Sequence, residues 1–316
     1  MHIRPLPLAV RFVAGESTGS YVTRLAARNG LTVRRLLDGL GEGRSAPDVD
    51  PRYTELYMNR EARARLALLV ARSVEELVRA LPSTGEEHLL PDEGGPVWRW
   101  PWAPHGGYLV RGCALCSAAR ETSAPVWLMR PDPWHICVRH GRFSDHSRDD
   151  HVPFIDLSPG PHVVEAERQR QNLVRRLGPV GRALMADAFA VLTHETVGFP
   201  RLGGHRTAPL RLLAPAVEIA HAMASFERRR LGGRMFLGGH KRWADQAAVQ
   251  FGPAVGRNLG MWAASHQIHL VPLPRPGPGT WLPLTSPHEQ VGGMQSMDEI
   301  TCLRWGIWMV GERPYG

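Results

Sequence analysis

Lysine is almost missing: of the 38 basic residues all but Lys241 are arginine. A genome biased toward GC-rich codons explains that skew as well as selection for phosphate contacts does, so it assigns no function. Cysteine is scarce. Four residues, at positions 113, 116, 137 and 302 of 316, are too few and too clustered for the disulfide framework of a secreted module. Long apolar runs are absent too, and stretches such as Leu66 to Ala71 fall far short of the roughly 20 residues that span a bilayer. Met1 to Ser17 is broken by prolines and has Arg11 where a small-residue cleavage site would stand, which argues against a signal peptide. The expectation is a soluble cytoplasmic protein with no membrane partner.

Signatures of catalysis are also lacking. His194-Glu195 is not followed by the second histidine of a metalloprotease helix. The chain contains no G-x-x-x-x-G-K-[ST] phosphate loop. These absences predict a protein that is not an enzyme.

What is present is enough apolar material for packed cores, 43% of residues, interrupted by 33 glycines and 27 prolines with no collagen-like period. The net charge is +8, which suits a polyanionic partner and equally an ordinary basic protein. Splitting the chain near Leu81 and Asp150 gives 13 basic and 9 acidic residues, then 7 and 9, then 18 and 12, so the segments carry +4, −2 and +6. The domain expectation follows those lines: residues 1–82 helical, 83–150 a metal module, and 151–316 a second helical part.

In the first segment Ser17 is a candidate N-cap for a helix stopped by Asn29-Gly30, and Thr32 for a second helix ending at Gly41. Gly41 to Pro51 reads as a loop. A third helix is expected from about Asn59 to Val70, and Ser73 caps a fourth. The two short helices spanning Arg65 to Leu81 have the dimensions of a helix-turn-helix. In that reading Arg63, Arg65, Arg72 and Arg79 reach DNA phosphates or base edges; in the bland reading they form a solvated face on a packing element. Beyond these helices, tryptophans 98, 100 and 102 alternate in VWRWPW. The expectation is that they shield a small metal module, with base stacking as the alternative.

Cys113 and Cys116 form C-x2-C, and after twenty intervening residues Cys137 and His140 form C-x2-H. Two such knuckles close a tetrahedron, and three thiolates with one imidazole suit zinc. Four protein ligands leave no open position for catalytic water, so a structural zinc is expected. Val126 to Met129 reads as a short strand between the knuckles, as in a zinc ribbon. His135 is expected as a neighbour of the site and Cys302 as a buried hydrophobe; His140 is the expected fourth ligand, with His146 and His151 as the alternatives to it.

With these pieces in order, Arg-Pro-Leu-Pro at the start, G-E-S-x-x-S-Y-x-x-R-L-A-x-x-N-G at Gly15 to Gly30, then C-x-x-C, an internal tryptophan and C-x-x-H, the chain resembles the TniQ family of transposition-targeting proteins, which includes the TnsD type. The resemblance covers about Arg4 to Phe143. It implies an accessory protein that binds target duplex DNA, or an RNA-guided complex seated on it, and recruits a AAA-type ATPase of the TnsC/TniB kind. It also implies that Cys113, Cys116, Cys137 and His140 hold zinc, and that Glu16, Ser17, Ser20, Arg24, Leu25 and Asn29 are the N-terminal signature, read as capping and packing. The alternatives are a zinc-containing helix-turn-helix transcriptional regulator and a protein-only bridging factor. A homodimer fits any of the three.

In the remaining half, Val163 to Leu177 is expected to be an amphipathic helix, with further helices at Gly181 to Leu192 and Pro215 to Leu231. RLGGHR at 201–206 and FLGGHK at 236–241 hint at a duplication. Trp243 to Trp262 has the spacing of a second helix-turn-helix. The fold class expected is mainly α, with a small zinc-ribbon-like module.

Overall fold

The computed structural model of the chain describes residues 4–47, 49–92, 94–148, 152–193, 208–231, 239–268, 270–272 and 281–283. The histidine of the His194-Glu195 pair, the RLGGHR segment, Cys302 and His151 lie outside them. Among the described residues ten α-helices stand against ten strands of two to four residues, so the chain is mainly α. It divides into two compact units, Met1–Pro159 and Gly160–Gly316.

The first unit opens with α1 (Thr18–Arg28) and α2 (Val33–Leu40). Both begin where the sequence offers a hydroxyl cap: Ser17 Oγ accepts from Ser20 N–H and Thr32 Oγ1 from Arg35 N–H, satisfying donors that a helix start leaves orphaned. The chain leaves α2 through Gly41 at φ 145, with the Pro96 carbonyl so close that a Cβ there would overlap it. Two short strands follow, β1 (Glu42–Ser45) and β2 (Tyr57–Met58), then α3 (Arg60–Leu69) and α4 (Val74–Ala80). Asn59 caps α3, and Ser73 with Glu76 forms a reciprocal capping box on α4.

The expected loop over Gly41 to Pro51 is in part a strand. β1 runs parallel to β3 (Val97–Trp100), with Glu42 opposite Val97 and Ser45 opposite Trp100, while β2 pairs antiparallel on the other side of β3. Its polar sequence conceals this, because all four residues of β1 are exposed and its bonds are made by backbone alone. The pairing has a larger consequence. Trp98 and Trp100 are buried with the leucines of α1 to α4 in one nineteen-residue core. They shield the helical core and not the metal module, which corrects the expectation for VWRWPW. The third tryptophan, Trp102, stays 54% exposed. Residues on both sides of position 82 therefore share one core.

The rest of the first unit is β4 (Tyr108–Arg111), α5 (Ala114–Ala118), β5 (Trp127–Arg130), β6 (Trp134–Cys137), β7 (Arg142–Asp145) and β8 (Ile155–Asp156). β4 pairs antiparallel with β5, and β6, β7 and β8 form an antiparallel sheet in that order. The apolar clusters here are small: Val13, Val126 and Leu128 in one, Leu109, Trp127 and Met129 in another.

The second unit packs α6 (Pro161–Leu177), α7 (Pro179–Thr193) and α8 (Ala208–Leu231) against one another, followed by α9 (Gly239–Phe251) and α10 (Pro253–Ile268). A two-stranded ribbon, β9 (Leu270–Pro272) and β10 (Trp281–Pro283), completes its described part. α9 and α10 are joined at Gly252, whose φ of 97 a side chain would strain. Contacts then run along both helices. A Cβ on Gly256 would overlap Ala248, one on Gly260 would sit 3.2 Å from Ala244, and the Trp243 and Trp262 rings lie 6.1 Å apart. That is an antiparallel helical hairpin, whereas helix-turn-helix partners splay at about 90–120°; the small residues read at sequence level as a turn signature serve close helix packing. α10 is tied to α7 by Asn258 Nδ2 donating to the Val191 carbonyl and Trp262 Nε1 to Asp187. Gly256→Val should overpack this contact and destabilise the second unit by roughly 1–3 kcal/mol, leaving metal content unchanged; denaturant unfolding beside metal analysis checks both.

Candidate metal centre

The two knuckles are built by different local structures. Cys113 is the N-cap residue of α5 and Cys116 lies one turn inside it. Gly112 N–H donates to the Val126 carbonyl at 2.7 Å, fixing the entry to that turn against β5. Cys137 ends β6, and the chain returns into β7 through a tight turn in which both His140 and Gly141 N–H bond the Cys137 carbonyl. Gly141 at φ 58 takes the left-handed position the turn needs.

These turns bring one ligand atom each from Cys113, Cys116, Cys137 and His140 to within 4.8 Å of one another. His140 presents Nδ1 to all three sulfurs, at 3.5 Å from Cys113, 3.3 Å from Cys116 and 3.5 Å from Cys137. The Cys116 and Cys137 sulfurs are 3.5 Å apart. A tetrahedral ion with bonds of about 2.3 Å to sulfur and about 2.0 Å to nitrogen would hold S and N about 3.5 Å apart. The four atoms therefore already describe a metal-sized tetrahedron and fit the group the sequence implied. His146 is elsewhere, with Nδ1 3.1 Å from the Pro133 carbonyl.

Packed this way, two of the three thiols resist ionisation, whereas the hydrogen bond with Cys113 lowers Cys137. The hydrogen bond with Cys137 and burial push the Cys113 thiol up to about 12, and burial raises Cys116. A coordinated cation reverses that balance, since thiolate is the ligand form. His140 also borders an open groove of about 580 Å³ walled by Arg111, Arg142, Phe154 and Asp156.

The Gly15 to Gly30 signature is what ties this module to the helices. Glu16, fully buried, receives Arg24 Nη2 at 2.5 Å and Nε at 2.8 Å, and Ser20 Oγ at 3.0 Å. Arg24 also reaches Thr122 Oγ1 and the Arg11 carbonyl. Burial pushes the Glu16 carboxyl upward, and the bonds from Arg24 oppose that shift. Around the pair, Ser17 N–H bonds the Trp127 carbonyl, Met129 N–H the Gly15 carbonyl, Gly15 N–H the Ala80 carbonyl, and Trp127 N–H the Ser20 hydroxyl. One signature segment thus bonds α1 to β5 and to the end of α4. Capping explains Ser17 and Asn29, and packing Leu25; Glu16, Ser20 and Arg24 form a buried polar joint between helices and metal module.

A second buried carboxylate escaped sequence reading. Glu55, fully buried, accepts from Thr18 N–H at 2.7 Å at the start of α1, and the helix dipole favours an anion there. Burial nonetheless raises its carboxyl to about 7, with Ser83, Thr18 and Ser17 opposing the shift. The signal available was a glutamate inside an otherwise apolar Leu56-Tyr57-Met58 approach. A raised acid pKa makes this group's contribution full below the unfolded value near 4.5 and lost as pH rises through about 7. Glu55→Gln should flatten the fall in stability between pH 5 and 8 by up to about 3 kcal/mol, readable as thermal midpoints across that range.

The four sequence-selected arginines do not share one environment. Arg63 is buried, its Nη1 on the Thr84 carbonyl at 2.8 Å and its Nη2 on Glu86 at 2.7 Å; it ties α3 to the turn after α4 and does not face solvent. Arg65 pairs with Glu61 at 3.0 Å, Arg72 lies 3.8 Å from Glu76, and exposed Arg79 bonds the Glu75 carbonyl. The structure thus separates Arg63 from the three surface residues.

With the joint and the tetrahedron in place, the comparison with protein families is decisive: residues 7–143 match the TniQ family. This segment is a TniQ domain. It spans the signature, the helical core and all four metal-ligand candidates, and ends at Phe143 in β7. A TniQ domain marks a transposition-associated targeting protein. No curated protein and no solved structure matches the chain. No helix among the described residues is long and apolar enough to cross a membrane.

Proposed function

We propose that this TniQ protein is a zinc-stabilised, non-enzymatic adaptor that engages target duplex DNA, or a complex seated on it, and recruits a AAA-type transposition ATPase. The observation that carries the reading is the metal tetrahedron of Cys113, Cys116, Cys137 and His140 inside the TniQ domain, joined to its helices by Glu16 and Arg24. Three thiolates with an imidazole favour zinc over the hard cations, and four protein ligands make its role structural. Zinc, when bound, supplies a cross-link between the α5 knuckle and the β6–β7 turn. The protein's own residues do the rest. Arg65, Arg72 and Arg79 on α3 and α4 are the arginines offered to phosphate, and Arg63 holds α3 in place behind them.

The chain, metal-loaded, should be retained on target duplex together with a AAA-type transposition ATPase. Co-purification of all three supports the adaptor reading. Retention of the DNA with no ATPase, in a locus without a transposase, would favour a transcriptional regulator. Charge reversal of Arg65, Arg72 and Arg79 together should weaken duplex binding by roughly tenfold or more, through loss of up to three phosphate contacts, measured by anisotropy at low salt.

A further inference from the structure

Trp102 is left out of the core that takes Trp98 and Trp100. Its indole, 54% exposed, meets Tyr53 edge-on with centroids 5.9 Å apart. Tyr53 in turn carries two guanidinium groups, Arg52 at 5.5 Å and Arg148 at 5.2 Å from its ring centroid. Arg52 is held by Asp50, with Nε donating at 2.8 Å and Nη2 at 2.6 Å. Three chain segments, at residues 50–53, 102 and 148, thus converge on one tyrosine that meets two guanidinium groups and one exposed tryptophan. None of these side chains belongs to the metal centre or to the buried joint.

An exposed indole fixed next to planar guanidinium groups is a stacking surface. Unpaired bases stack on aromatic rings and on arginine planes, whereas the bases of a duplex already stack on one another and present only edges and phosphates. A protein hot spot would surround its aromatic anchor with residues that exclude water; here the groups against Tyr53 are the charged Arg52 and Arg148, with Asp50 on Arg52. Arg52 and Asp50 also wall a cavity of about 300 Å³ with Ser20, Thr23 and Trp127, room for a base beyond the platform. Asp50 offsets Arg52, so stacking and not net charge dominates.

We propose that Trp102, Tyr53, Arg52 and Arg148 form a platform for unpaired bases of a single-stranded nucleic acid. This rests on the nucleic-acid-targeting reading above and extends it to a second kind of strand. Because stacking carries the contact, single-strand binding should fall less steeply with salt than duplex binding, which neutralises phosphates.

The test uses the full metal-loaded chain with labelled oligothymidylate and oligouridylate of about 15 nucleotides and a duplex of similar length, titrated by anisotropy across a salt series. Trp102→Ala, at an exposed position, should weaken binding of the oligomers roughly 5- to 100-fold, the range of one lost base stack. It should leave duplex binding unchanged, and Trp102→Phe should recover most of the loss. Preference between the two oligomers identifies the strand as DNA or RNA, and either supports the platform. Wild-type chain that binds duplex but neither oligomer, or Trp102→Ala and Tyr53→Ala variants that bind oligomers as well as wild type, would overturn it while leaving the duplex reading intact. Trp102-dependent oligomer binding without any duplex binding would uphold the platform and remove the duplex reading instead.

Discussion

Replacing Arg24 by alanine is expected to lower the stability of the N-terminal unit by about 3–5 kcal/mol, the cost of stranding one member of a buried ion pair. For a unit of this size that corresponds to a fall of roughly 10 °C in thermal midpoint. The reason is local. Glu16 is fully buried and Arg24 supplies two of its bonds, so without the guanidinium the carboxylate keeps Ser20 and the Val13 backbone and must ionise in a dry site or take a proton. The same substitution frees Thr122, ahead of β5, and the Arg11 carbonyl. Thermal unfolding of the metal-loaded protein measures the loss. A Glu16→Gln, Arg24→Met double variant should recover part of it, because no charge is then left buried; a double variant as unstable as the sum of the two singles would mean that the joint acts by shape and not by pairing.

Cys137→Ser should cost still more, and in a different place. Structural zinc sites in finger peptides contribute about 10–16 kcal/mol of binding free energy that is at the same time folding free energy. Among the described residues near the metal centre are two apolar clusters of three residues each, beside the buried Trp134, Ile136 and Phe143, against nineteen in the helical core. The helices should therefore keep their fold while α5 and the β6–β7 turn lose theirs. Metal content falling to background, with amide protection lost around Cys113 to Asp145 and retained in α1 and α3, is the expected result. Unchanged metal content in both Cys137→Ser and Cys113→Ser would refute the site.

Much of this architecture is legible from the sequence because short-range chemistry dictates it. Ser17, Thr32, Asn59 and Ser73 each cap the helix that follows, and the C-x2-C and C-x2-H spacings each fit one tight turn, so neither needs knowledge of distant residues. What escaped reading depends on long-range pairing. β1 is polar and exposed, and only β3, more than fifty residues later, makes it a strand. That pairing is also what draws Trp98 and Trp100 into the helical core. Glu16 and Arg24 sit eight residues apart on and before one helix, and their burial comes from β5, about a hundred residues on. Arg63 looked like a surface arginine for the same reason: the turn at Thr84 and Glu86 that covers it is invisible from its own helix. The glycines and alanines of α9 and α10 admit either a splayed pair or a close hairpin, and the approaches of Ala248 to Gly256, Ala244 to Gly260 and Trp243 to Trp262 decide for the hairpin.

The central claim, a metal-built adaptor that engages target DNA, is tested most directly by one titration. Duplex DNA is titrated with the zinc-loaded chain at increasing salt, with folding and metal content verified in the same samples. The account predicts binding at low salt that weakens steeply and log-linearly as salt rises, as release of counterions from neutralised phosphates requires. Folded, zinc-loaded protein that fails to bind duplex even at low salt would contradict it.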